Sequence, residues 1–231
     1  MPLKILSWNI WCDGHFDLIR EFLAKCDADI VGLQEVLPHS RKIPVIELMT
    51  ELGYEYVYFK VMNMPIGSGE TEELGNAIFS RYPIVGSQAH KLSDEHARIA
   101  GQADIDVDGA IIHVLCTHLK HTHQRPSELQ ELQARNLIKA LPGERTIVVG
   151  DFNATPDSAA IKMVSAALSN PDARLDPTWS VYPEGCDVCK LAGLDIRLDY
   201  IFMSKDLKAS GFKVESSKGS DHLPISVVVE A

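Results

Sequence analysis

The chain has 231 residues, of which 45% are hydrophobic and 23% charged, with a formal net charge of −10; this suits one large domain with an ample core. No apolar run approaches the ~18 residues that a membrane-spanning helix requires, and five irregularly spaced cysteines do not form a disulfide framework. The negative balance excludes a bulk electrostatic attraction to nucleic acid or an anionic membrane.

The first strand is predicted over Leu3–Trp8 and ends at Asn9. It turns polar too soon for a secretory leader, and with the odd cysteine count this sets the expectation of a cytoplasmic protein. Phe16, Ile19, Leu23 and Cys26 recur at helical spacing. Asp29–Gln34 reads as a buried strand, Ile43–Leu52 as a helix and Tyr54–Phe59 as an aromatic strand. Lys60–Leu74, with Met62, Met64, Pro65, Gly67, Gly69 and three glutamates, reads as a long loop. Strands follow over Asn76–Ser80, Ile84–Ala89, Ala97–Val107 and Ile111–Thr117, with Asp108-Gly109 as a hairpin turn. A helix is predicted from Pro126 to Leu141, a short strand over Thr146–Val149 and a helix over Ser158–Leu168. Asn170–Gly193 is turn-rich, and Leu198–Met203, Phe212–Val214 and Pro224–Val229 close the chain as strands. No repeat or linker interrupts residues 1–231, which read as a single α+β domain of packed sheets covered by helices.

The polar residues that suit catalysis lie where strands end: Asn9, Gln34-Glu35, Thr117-His118, Gly150-Asp151-Phe152-Asn153, Arg197-Leu198-Asp199-Tyr200 and Ser220-Asp221-His222-Leu223-Pro224. A strand end holds a side chain rigidly yet leaves it at the surface, as a catalytic constellation requires. The oxygen-rich set suits Mg²⁺ or Mn²⁺ rather than a structural zinc.

Taken in order from Lys4 to Val229, these motifs resemble those of the endonuclease/exonuclease/phosphatase superfamily, the DNase I-like fold. The resemblance implies a four-layered α/β sandwich with two packed, mainly antiparallel sheets flanked by helices. It implies hydrolysis of a phosphoester, foremost a phosphodiester, by in-line attack of water with Mg²⁺, for which Mn²⁺ substitutes. Glu35 resembles the principal metal-ligand glutamate, Asn9 the asparagine that helps to place metal and phosphate, and Asp221 a second carboxylate near the metal. Asp151 and Asn153 resemble the pair that positions water and the phosphoryl group. His222 resembles the histidine on the scissile phosphate, Asp199 the aspartate that orients it, and His118 a histidine that contacts a phosphate oxygen.

The substrate is a phosphoester, either a small molecule or nucleic acid. A nuclease calls for a basic stripe with aromatics, whereas Lys and Arg are scattered here, and a sphingomyelinase-like lipid hydrolase calls for an apolar docking hairpin. The balance leans to a compact, non-polymeric substrate. A non-catalytic binding module of the same fold would have lost some of the eight residues. Nothing in the sequence calls for an obligate protein partner. His121 and His123 read as loop residues at the active face, since their spacing with His118 matches no common zinc site. Cys186 and Cys189 form a lone C-x-x-C without two further ligands and read as unlinked thiols. Trp8 and Trp179 read as packing residues, and Arg98 is not assigned to the site.

Overall fold

The structure is a computed structural model that describes residues 2–12, 14–66, 70–182, 186, 188–189 and 193–230. In chain order the elements are β1 (Pro2–Asn9), α1 (Phe16–Lys25), β2 (Ile30–Val36), α2 (Val45–Glu51), β3 (Glu55–Ile66), β4 (Glu70–Ser80), β5 (Ile84–Lys91), β6 (Ile99–Val107), β7 (Ala110–His118), α3 (Glu128–Lys139), β8 (Thr146–Asp151), α4 (Ala159–Ala167), β9 (Asp199–Met203), β10 (Lys208–Val214) and β11 (Ile225–Glu230). They form a six-stranded sheet ordered β10-β11-β1-β2-β4-β3 and a five-stranded sheet ordered β5-β6-β7-β8-β9. Both sheets are mixed: β1 runs parallel to β2 and β7 to β8, and the remaining pairs are antiparallel.

Side chains alternate between the faces of each strand, and this alternation builds the layers. Leu3 and Ile5 of β1, Ile30 of β2, Val114 and Cys116 of β7, Ile147 and Val149 of β8, Ile201 of β9 and Val227 of β11 share one buried cluster between the sheets. Leu6 and Trp8 point the other way, joining Ile19 and Leu23 of α1 and Met49 of α2. Leu115, Val148 and Phe202 pack with Ala134 and Leu137 of α3 and Val164 of α4. The result is helix, sheet, sheet, helix, the expected four-layered sandwich. Both outer helices on the five-stranded side start at a serine cap: Ser127 accepts from the Gln130 N–H and Ser158 from the Ile161 N–H.

One expected element differs. Lys60–Leu74 is not a long loop but the distal part of a β-ribbon, with Met62 paired to Leu74 and Ile66 to Glu70; residues 67–69, with Gly67 and Gly69, lie outside the described residues. Pro65 is tolerated because β3 is the edge strand, where one side of the backbone needs no ladder partner. Lys60 and Glu73 face each other across the ribbon at 2.8 Å. The glutamates that suggested a loop thus lie on a solvated strand.

Candidate active site

The alternation that fills the core also places the site. Asn9 has the same parity as Leu3 and Ile5, His118 as Val114 and Cys116, Asp151 as Ile147 and Val149, and Asp199 as Ile201. All four therefore lie on the inter-sheet side, at the same end of the sandwich. Register sets them abreast: His118 is opposite Asp151, and Asp151 is opposite Asp199. The tight parallel pairing of β7 and β8 depends on Gly150, where a Cβ would lie 2.0 Å from the Thr117 carbonyl oxygen.

Glu35 breaks the parity rule, and the reason is a β-bulge. Between Leu33 and Val36 two residues of β2, Gln34 and Glu35, oppose the single Asn76 of β4, since Leu33 pairs with Ala77 and Val36 with Gly75. Leu33 and Val36 both stay on the helix side. The extra residue puts Glu35 in the left-handed region, at φ 59°, which non-glycine residues adopt at a cost. Its carboxylate turns back to the cleft, where Oε1 accepts from Asn9 Nδ2 at 3.1 Å and Oε2 from the Cys12 N–H at 3.2 Å. A bulge beside a functional site commonly re-aims a side chain in this way.

Two layers of contact hold the rest. Asn9 Nδ2 also donates to Asp151 Oδ2 at 3.1 Å, bridging the two sheets, while its Oδ1 accepts from the Trp11 N–H. Asp199 Oδ2 takes His222 Nδ1 at 2.9 Å, and His222 Nε2 lies 3.7 Å from Asp151 Oδ2. Trp8 Nε1 donates to the His222 carbonyl and Trp179 Nε1 to Asp221 Oδ2, each at 2.9 Å. The two tryptophans read as packing residues thus also fix the loop that carries Asp221 and His222. Ser220 Oγ donates to the Asn9 carbonyl at 2.7 Å and accepts from the His222 N–H. A buried ion pair, Arg197 to Asp172 at 2.7 Å, stands behind this layer, with Arg197 Nε donating to the Asp199 carbonyl.

The amide of Asn153, itself at φ 50°, has one orientation that satisfies every neighbour. The Leu119 carbonyl can only accept, so the group 3.1 Å from it is Nδ2, which also donates to His118 Nε2 at 2.9 Å. Oδ1 then accepts from His121 Nδ1 at 2.7 Å. His118 is therefore neutral with its proton on Nδ1, and His121 carries a proton on Nδ1, while burial, the first cause of its lowered pKa, favours the neutral ring.

The electrostatics agree. Burial, followed by the positive neighbours Arg98, His222 and His121, pushes His118 well below the ordinary 6.5. For His222 burial opposes the proton, but Asp199, Asp151 and Asp221 together outweigh it and hold the ring protonated well above that value. Burial, opposed by His222 and reinforced by Asp199, raises Asp151 to about 7. Burial and then Glu35, after the counteracting His222, account for an elevated Asp221.

His118 yields a prediction with a defined sign. Unfolded, it takes a proton near pH 6.5; folded, it stays neutral to a much lower pH. The unfolded state then binds more protons below 6.5, so this group lowers stability as pH falls through that window. In metal-free buffer His118→Gln should flatten the slope of unfolding free energy against pH between about 6.5 and 5. Urea titrations that give the same slope for both proteins would refute a neutral His118.

These side chains line an open cleft of about 310 Å³ that holds Glu35, His118, Asp151, Asn153, Asp221 and His222. Asn9 and Asp199 stand directly behind it. All eight residues singled out in the sequence are thus brought together. The carboxylate–histidine group whose ligand atoms converge within 4.8 Å is Asp151, Asp199 and His222. Glu35 and Asp221 reach the cleft from the six-stranded side, and their hard oxygen donors, already served by N–H groups, match a cation such as Mg²⁺.

The structure adds residues to the site. Arg98 lines the cleft with its buried Nε lacking any hydrogen-bond partner among the described residues. Burial lowers its pKa, against the pull of Glu35 and Asp151. Gln130, buried on α3, donates through Nε2 to the carbonyls of Lys120, Phe152 and Asn153, clamping two site loops together. A glutamine among apolar helix positions was the available signal. Cys186 and Cys189 are not isolated from further ligands: they lie against His121 and His123.

A model of the endonuclease/exonuclease/phosphatase family matches residues 6–222, nearly the whole chain. The chain belongs to this family. Its members are in general hydrolases of phosphoesters. The protein YbhP of Escherichia coli K12 is 29% identical over 153 residues, covering 58% of this chain and 57% of that protein, so the match takes in little more than half of the curated relative's length. Among solved structures, an endonuclease/exonuclease/phosphatase of Beutenbergia cavernae superposes with a TM-score of 0.78 at 20% identity, over 99% of this chain and 71% of that one. The human Nocturnin catalytic domain with a bound sulfate superposes with a TM-score of 0.73 at 23% identity, over 99% and 93%. At these identities the superpositions establish the fold. No helix among the described residues of this family member is long and apolar enough to cross a membrane.

Proposed function

We propose that this single domain is a divalent-metal-dependent phosphodiesterase that acts on a small, non-polymeric substrate in a cytoplasmic setting. The observation that carries the reading is the cleft itself: a protonated His222, a guanidinium with a free Nε and a carboxyl raised to about 7 face one small space. That combination fits an anionic ester. The sulfate of the Nocturnin domain is an anion of the same tetrahedral shape. The compact cleft and the scattered Lys and Arg favour a small substrate over a nucleic acid, and the free thiols suit a reducing compartment.

In this reading Asn9, Glu35 and Asp221 would hold Mg²⁺, or Mn²⁺ in its place, with Asn9 also joining Glu35 to Asp151 through its Nδ2. The ion supplies charge neutralisation at the phosphoryl group and stabilises the leaving oxygen. Asp151, with its pKa near neutrality, takes the proton of the attacking water, as suits a general base. Asn153, whose Nδ2 is engaged by the Leu119 carbonyl and His118, orients that water through the remaining acceptor capacity of Oδ1 and keeps His118 and His121 in place. His222 donates to a non-bridging oxygen, where a preorganised cation counts most as charge develops, and Asp199 holds the ring. Arg98 contacts the remaining phosphoryl oxygens, and His118, with Nε2 held by Asn153, reaches one of them only through its Nδ1–H.

The test is release of p-nitrophenol from bis(p-nitrophenyl) phosphate and from the monoester, with Mg²⁺, Mn²⁺ or EDTA. Faster hydrolysis of the diester, abolished by EDTA, is expected. Glu35→Ala should raise the Mg²⁺ concentration for half-maximal rate by more than it raises KM. Equal Mg²⁺ dependence in both proteins would remove Glu35 from the metal site, and preference for the monoester would overturn the diesterase reading.

A further inference from the structure

On one wall of the cleft, whose lining includes His121, His123 and Cys186, four side chains from two distant segments point at one another. His121 and His123 follow β7, and Cys186 and Cys189 lie in the turn-rich stretch before β9. One ligand atom from each converges with the others within 4.8 Å. His121 Nε2 lies 3.0 Å from His123 Nδ1, which lies 3.4 Å from each cysteine Sγ, and the two sulfurs are 2.9 Å apart. Both cysteines are free thiols.

Zn–S bonds of ~2.3 Å and Zn–N bonds of ~2.0–2.1 Å in a tetrahedron put neighbouring ligand atoms roughly 3.3–3.8 Å apart. The N···N and N···S spacings fall just inside those edges, while the two sulfurs, at 2.9 Å, would have to part by roughly 1 Å to reach the ~3.8 Å edge of a zinc tetrahedron, a movement that rotation of the cysteine side chains can supply. The donor set is also specific. Two sulfurs and two imidazole nitrogens select a soft or borderline metal, and the tetrahedral S₂N₂ set is a zinc set. Mg²⁺, which needs oxygen ligands, does not compete for it.

A second, independent feature points the same way. A metal-bound histidine characteristically donates its other ring N–H to a fixed acceptor. His121 does so: the Asn153 amide, locked by the Leu119 carbonyl, fixes a proton on Nδ1 and turns Nε2, the nitrogen left for a metal, to His123 and the cysteines. The Cys189 N–H donates to Cys186 Sγ at 3.2 Å, an outer contact that steadies a thiolate.

We propose that His121, His123, Cys186 and Cys189 form a closed structural zinc site that ties the segment after β7 to the segment before β9 on one wall of the cleft. Binding releases the two thiol protons to solvent, and the two thiolates balance the charge of Zn²⁺. The site is distinct in ligand chemistry from the proposed magnesium site, and one ring joins it to Asn153: His121 would ligate zinc on one nitrogen and brace Asn153 with the other.

The test uses the whole protein and does not depend on knowing its substrate. Purified from zinc-supplemented medium and dialysed against Mg²⁺, the chain should retain roughly one zinc, and the Cys186→Ser and Cys189→Ser proteins less than about a tenth of that. Replacement by Co²⁺ should give a thiolate-to-cobalt charge-transfer band that both substitutions abolish. Should the variants fold poorly, zinc-edge X-ray absorption on the wild type decides, with two sulfurs at ~2.3 Å and two nitrogens at ~2.0–2.1 Å expected. A wild-type protein without zinc, zinc bound by oxygen and nitrogen alone, zinc kept by both variants, or a Cys186–Cys189 disulfide in the protein purified under nitrogen would each overturn the proposal. Loss of diesterase activity with zinc content intact would instead count against the cleft reading.

Discussion

An Asp151→Asn protein should turn over its phosphodiester at least roughly 10²-fold more slowly than wild type, the size of one lost acid–base or electrostatic contribution. The substitution keeps the shape of the side chain and an oxygen that can accept from the Asn153 N–H, at 2.7 Å in the wild type. What it removes is the proton acceptor and the charge that faces His222. His222→Ala should have a comparable effect, because the other ring beside Asp151, His118 at 3.4 Å, is held neutral and cannot replace the charge. Since both groups act on one phosphoryl group, the double variant should be much less impaired than the product of the single effects. Steady-state kinetics with matched thermal melts checks this. Either single variant at near-wild-type kcat would break the assignment of that residue; two fully multiplicative losses would show that they act independently.

The second large effect concerns stability. Arg197 and Asp172 pair at 2.7 Å with side-chain exposures of only 2% and 4%. Arg197 also donates to the carbonyls of Asp199 and Asp176. Removing one member of such a pair strands the other charge without water, which typically costs about 3–5 kcal/mol. Arg197→Met should therefore lower the unfolding free energy by about that amount in urea. Asp172→Leu/Arg197→Met, which strands no charge, should recover part of the loss. A drop of under about 1 kcal/mol in the single variant would mean that water reaches Asp172.

Much of the site was legible because strand geometry is simple. Asn9, His118, Asp151 and Asp199 each end or begin a strand in phase with inward-facing apolar residues, so parity alone gathers them. Packed sheets under helices were legible from the many strands with helices set between some of them, and the four-layered order from the resemblance to the family; the faces of Leu3 and Ile5 against Leu6 and Trp8 came with the structure. What escaped has physical causes. The ribbon over Lys60–Leu74 is solvated on an edge, so it lacks the apolar alternation that marks a half-buried strand. The meeting of His121 and His123 with Cys186 and Cys189 joins segments more than sixty residues apart, and the two cysteines lie in the turn-rich Asn170–Gly193, which has no regular period to carry the chain's direction. Arg98 and Gln130 needed tertiary context: one is notable for a partner it lacks, the other for three carbonyls it serves. Glu35 was found through its resemblance to the family motif, and parity alone would have sent it to the opposite face.

That last residue has a consequence for how this chain tolerates insertions and deletions. In most strands, losing one residue shifts everything beyond it to the wrong face. In β2 the opposite holds between Leu33 and Val36: removing one residue would restore a continuous ladder with β4, keep Leu33 and Val36 packed against the helices once the turn beyond adjusts, and relieve a left-handed backbone. The shortened strand would be better paired and have no place for its carboxylate in the cleft. Backbone pairing alone would favour the shorter strand, so the length of β2 at this point answers to the carboxylate it delivers to the cleft and not to the sheet.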